Sequence, residues 1–108
     1  MIAHIVLLQP RRDLSEEQRQ TALKTLADAA ANVPEIRRFR LGRRVLHNLP
    51  GYEQLMALDY EFALIIEVDD LPALTRYLRA PAHAVLGQLF YSATSAALAY
   101  DYQLEEIV

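Results

Sequence analysis

The sequence contains no cysteine. Disulfides, thiolate metal sites and cysteine nucleophiles are therefore excluded. It has no tryptophan and only three glycines among 108 residues. No Gly-rich phosphate loop, Rossmann or G-x-S-x-G pattern occurs. No apolar run reaches the roughly 18–20 residues that span a bilayer. The apolar start Met1–Leu8 lacks the basic leader of a signal peptide. These absences read as a cytoplasmic protein without a membrane partner. An excess of positive charge is missing too: 11 Lys and Arg stand against 14 Asp and Glu, a net −3. That balance argues against a general nucleic-acid binder. What the chain does have is apolar mass, 53% of its residues, ample for a packed core. The length allows one domain, 1–108.

Ile2 to Leu8 is nearly all apolar and reads as a strand over 2–9 that is buried on both faces. Ser15 with Gln18 fits a capping box, and apolar residues at helical spacing predict a helix over 15–32, ended by Pro34. Residues 36–46 alternate: Phe39, Leu41 and Val45 share one parity, and Arg38, Arg40 and Arg44 the other. Asn48, Pro50 and Gly51 then mark a loop, with a helical turn near Tyr52–Met56. A third strand is expected over 60–68 and a short helix over 70–79, capped by Asp69 or Asp70. Pro81 restarts the chain as a helix over 82–94, and 97–104 is the last strand. This order predicts an α+β fold: a ferredoxin-like, four-stranded antiparallel sheet with helices on one face. The first and third strands are apolar on both parities, so the uncovered face would expose a large apolar patch. A two-fold partner resolves this and predicts a homodimer, closed as a dimeric α+β barrel.

Several blocks stand in order along nearly the whole chain. Met1-Ile2-Ala3-His4-Ile5-Val6-Leu7-Leu8 opens it, and Asp13-Leu14-Ser15-Glu16-Glu17 begins the first helix. Tyr60–Val68, Leu74-Thr75-Arg76-Tyr77-Leu78-Arg79-Ala80-Pro81-Ala82-His83 and Tyr100-Asp101-Tyr102 follow. Together they resemble the stress-responsive A/B-barrel (Dabb) family. One departure is visible: Ala80 stands where many members carry a first histidine. The resemblance implies the ferredoxin-like sandwich paired into a dimeric barrel. Many members are known only as stress-associated. A plant member is a polyketide cyclase that closes a linear poly-β-ketone by aldol condensation without metal or organic cofactor. By that resemblance Tyr77 and His83 carry the catalytic roles and His4 is a further pocket histidine.

The chemistry of these residues leaves alternatives open. His83 lies in the first turn of a helix, where the positive dipole end disfavours imidazolium and leaves a base. Tyr77 can donate to a ketone oxygen. The plainer reading is a helix-start histidine and a tyrosine at the core edge. His4, in an apolar strand, is either a core residue bonded to a backbone carbonyl or a second polar group in the same cavity. Phe90 is expected at the ligand pocket, lining it or filling it. His4, His47 and His83 show no ligand spacing, so no metal and no cofactor are expected. Arg37, Arg38, Arg40, Arg43 and Arg44 have neither Gly-rich loop nor aromatic platform, and Glu61, Glu67 and Asp101 offer them partners. The cluster reads as structural or interfacial rather than as a nucleic-acid site. Two functions follow: a cofactor-free acid/base enzyme on a carbonyl compound, or a non-catalytic stress or ligand-binding homodimer. A cofactor-free monooxygenase is a weaker third, since it rests on a shared fold alone.

Overall fold

A computed structural model describes residues 1–108. The chain runs β1 (Ile2–Pro10), α1 (Glu16–Ala31), β2 (Ile36–Arg43), β3 (Phe62–Val68), α2 (Leu71–Arg79), α3 (Pro81–Ala93) and β4 (Thr94–Gln103), with a 3-10 turn at Glu53–Leu55. The four strands form one antiparallel sheet in the order β2-β3-β1-β4. This is the ferredoxin-like α+β fold that the sequence pattern predicts. No helix is long and apolar enough to cross a membrane.

Local chemistry sets the helix starts. Ser15 Oγ accepts from the Gln18 amide at 3.1 Å, and Gln18 Oε1 accepts from the Ser15 amide at 2.8 Å. This reciprocal pair satisfies two N–H groups that α1 would otherwise leave open. Asp70, rather than Asp69, caps α2 by accepting from the Ala73 amide at 2.9 Å. Asp69 instead pairs with Arg37. Ala80 ends α2 and begins α3 in extended conformation, which Pro81 imposes on the residue before it.

Strand parity divides the sheet. His4, Val6 and Leu8 of β1 stand opposite Ile66, Leu64 and Phe62 of β3 and face the helices. Together with Leu26, Val33, Ala73, Leu74, Tyr77 and Leu86 of the helical layer, the apolar ones among them form the core. Leu64 and Ile66 are fully buried, each contributing about 1.5–3 kcal/mol of transfer free energy. The opposite parity forms the other face: Ile5 and Leu7 of β1, Ala63 and Ile65 of β3, and Leu98, Tyr100 and Tyr102 of β4. No helix covers it, and Tyr100 and Tyr102 are more than half exposed.

The strand ends differ from the sequence-based expectation in three places. β2 leaves the sheet after Arg43 and not at Leu46, and β3 begins at Phe62 and not at Tyr60. The two shortenings are one event, because Arg43 pairs with Phe62 and beyond them only the Arg44 amide reaches the Glu61 carbonyl. Asn48 and Gly51, both at positive φ, turn the intervening arm. β4 begins at Thr94, directly after α3, where the register shifts between Gln9 and Pro10. The acidic partners expected for the arginines also redistribute. Glu67 takes Arg38 and Arg40, but Glu61 takes Arg19 and Asp101 takes His4.

Candidate functional site

Three rings from three elements converge under the sheet. His4 comes from the middle of β1, Tyr77 from the last turn of α2 and His83 from the first turn of α3. The ring centres of Tyr77 and His83 lie 5.1 Å apart. Those of His4 and Tyr77 are 5.6 Å apart, and those of His4 and His83 6.2 Å. All three pairs meet edge to face. The bend at Ala80-Pro81 turns the two helices so that residues six apart in sequence face each other.

Asp101 fixes the third ring. His4 Nδ1 donates to Asp101 Oδ1 at 2.6 Å, across the β1–β4 register that pairs these two residues. The partner is thus a carboxylate rather than the backbone carbonyl of the plainer sequence reading. The carboxylate requires a hydrogen on Nδ1, which fixes the orientation of the ring and turns Nε2 away from Asp101. Asp101 is the member of this cluster that the sequence reading placed elsewhere, as a partner for the arginines. Its signal was parity: it points to the helical side between two tyrosines that point away.

Electrostatics separate Tyr77 from His83. Burial pushes the Tyr77 phenol up to about 12, and the charge of Asp101 pushes the same way. Tyr77 therefore stays protonated and remains a donor. Tyr77 is fully buried, and its hydroxyl makes no hydrogen bond to another protein group. Burial lowers His83 from its ordinary value, and repulsion from His4 adds to this; the Leu78 carbonyl and Asp101 oppose both. The sequence argument lowered His83 through the helix start, and burial in the structure acts in the same direction.

This makes a pH expectation. A histidine lowered in the folded state binds fewer protons than the unfolded chain. Its contribution to stability is whole above about pH 6.5 and is lost as pH falls through the folded value. In a proton NMR titration the His83 ring should show a midpoint below about 6.5. The melting temperature of His83→Asn should fall less on acidification than that of the unaltered protein. A midpoint at or above the ordinary histidine value would contradict the burial argument.

Phe90 does not join the three rings. It lines a separate cavity of about 120 Å³ between the sheet and helices α1 and α3, with Leu8, Leu23, Leu26, Phe62 and Leu89. Leu8 lies four residues beyond His4 on β1, about 13 Å at the rise of a strand. None of the three rings lines this cavity. His47 lies on the arm, where its ring meets Tyr52 and Glu53, away from the other two histidines.

Solved structures share this architecture. Hydroxynitrile lyase from Passiflora edulis superposes with a TM-score of 0.84 at 14% identity, over 99% of this chain and 95% of that one. A Dabb family protein with a ferredoxin-like fold from Mesorhizobium loti gives 0.78 at 19%, over 97% of each chain. A dimeric ferredoxin-like protein of unknown function from Thermobifida fusca gives 0.74 at 20%, over 95% of this chain and 90% of that one. At these identities the likeness establishes the fold. No curated protein matches the chain. The family model described as the stress responsive A/B barrel domain matches residues 2–104, nearly the full length. The chain belongs to the stress responsive A/B barrel domain (Dabb) family.

Proposed function

We propose that this protein is a homodimeric, cofactor-free acid/base enzyme that makes or breaks a carbon–carbon bond beside a carbonyl carbon. One observation carries the reading: His83, lowered by burial, meets Tyr77, raised by burial, at 5.1 Å between ring centres. Groups driven apart in this way keep a base and a donor side by side near neutral pH. His83 takes a proton, and Tyr77 donates to the oxygen that gains charge. His4, held by Asp101, supports both rings from the sheet side. In an aldol closure, such as the family's plant polyketide cyclase performs, the proton comes from the carbon next to a ketone. In cyanohydrin cleavage, the reaction named for the Passiflora edulis protein, it comes from the hydroxyl. The C–C bond then breaks to leave an aldehyde, and cyanide departs with the proton as hydrogen cyanide.

Mandelonitrile tests the reading directly. Benzaldehyde release above the buffer rate, lost in His83→Ala, is the expected result. Release at the buffer rate, together with no cyclisation of a linear poly-β-ketone, would overturn it. A second reading has its own observation. The cavity at Leu8, Phe62 and Phe90 is separate from the three rings, which supports a ligand-binding dimer that uses this cavity without chemistry. The dimer itself is supported by the uncovered apolar face and by dimeric structural relatives.

A further inference from the structure

Arg43 interrupts the apolar row of its strand. Phe39 and Leu41 precede it on the face that meets the helices, opposite Ile66 and Leu64, and Arg43 follows opposite Phe62. Arg43 itself is solvent-exposed, at the end of β2 where the strand leaves the sheet. The arginines around it are paired: Arg37 with Asp69, Arg38 and Arg40 with Glu67, and Arg44 with Asp59. Arg43 makes no ion pair. Its guanidinium lies 5.1 Å from the centre of the Phe62 ring. Arg19 lies 5.9 Å from the same ring, but Glu61 holds its charge, with Glu16 at 4.0 Å.

Phe62 and Arg43 both line the cavity that contains Phe90. The cavity is therefore amphiphilic: apolar through Leu8, Leu23, Leu26 and Leu89, with the unpaired cation of Arg43 over the Phe62 ring, while the other charged lining residues, Arg19 and Glu16, face each other as a pair. Its 120 Å³ is close to the roughly 150 Å³ of an apolar cavity that takes benzene. We propose that Arg43 makes this cavity selective for a small carboxylate, the apolar body of about six carbons lying against Phe62 and the leucines and the carboxylate pairing with the guanidinium. The stacking on Phe62 pre-orients the planar fork, which lowers the entropy cost of the pair. This inference rests on reading the cavity as a ligand site and does not depend on the acid/base reading.

The test is an NMR titration of the isotope-labelled full chain with benzoate and with benzyl alcohol, which share one ring. Both should shift the resonances of Leu8, Leu89 and Phe90. Benzoate should bind about three- to tenfold more tightly, the range for a partly exposed charge pair. Arg43→Gln should abolish that preference and leave benzyl alcohol unchanged, whereas Arg43→Lys should keep part of it. Equal affinity of the two probes would overturn the role of Arg43 while leaving the cavity as a ligand site. If neither probe moves those resonances, the cavity reading fails and the proposal with it.

Discussion

Ile65→Lys is expected to convert a dimer into a monomer of 12.3 kDa by light scattering, with the unaltered protein at twice that mass. The argument begins with strand parity. Ile65 stands opposite Ile5 of β1 and Arg40 of β2, on the face without helices. Around it lie Leu7, Ala63, Leu98 and Tyr100, an apolar field that a monomer would leave in water. A two-fold axis brings the same field of the partner onto it. A lysine there would be buried twice per dimer, close to the charge of Arg40. Desolvating each ion costs several kcal/mol, so the dissociation constant should rise by about a thousandfold or more. The helical side does not touch Ile65, so the fold and the Tyr77–His83 contact should survive. An unaltered protein that runs at 12.3 kDa at micromolar concentration would refute the dimer itself.

The same parity explains how much of the molecule can be read from sequence. β1 and β3 are legible because short, nearly continuous apolar runs such as Ile2–Leu8, stopped by Pro10, fit a strand buried on both faces, and the two pair directly in the sheet. α1 is legible because Ser15 and Gln18 carry their own hydrogen bonds. The ends of β2 and β3 are not, because an extended segment such as Val45–Leu46 becomes strand only where a neighbour pairs with it. The convergence of Tyr77 and His83 follows from a local bend at Pro81, which the sequence displays. The His4–Asp101 bond does not, since 97 residues separate the pair and only the β1–β4 register joins them. Phe90 illustrates the remaining gap. Its helix was evident, but the end of the sheet it faces depends on how α3 packs across α1.

His83→Ala is expected to lower turnover of the carbonyl substrate by about 10²–10⁴, the range for removing a positioned general base. The fold should hold, because the substitution places a good helix former in the first turn of α3 and leaves the β-sheet untouched. Tyr77→Phe should lower kcat by about 10²–10³ with little change in KM, since it deletes one donor to the charged oxygen and keeps the buried ring. The pH dependence distinguishes chemistry from packing. With neutral His83 as the base, kcat/KM rises with pH through a value below about 6.5, because burial lowers that group. The plateau then continues far into the alkaline range, since Tyr77 loses its proton only near about 12. A structural role for either ring would lower stability and leave this profile unmoved. An acid limb that persists in His83→Ala would assign the base to another group, and His4, held by Asp101 at 2.6 Å, is the one placed to supply it.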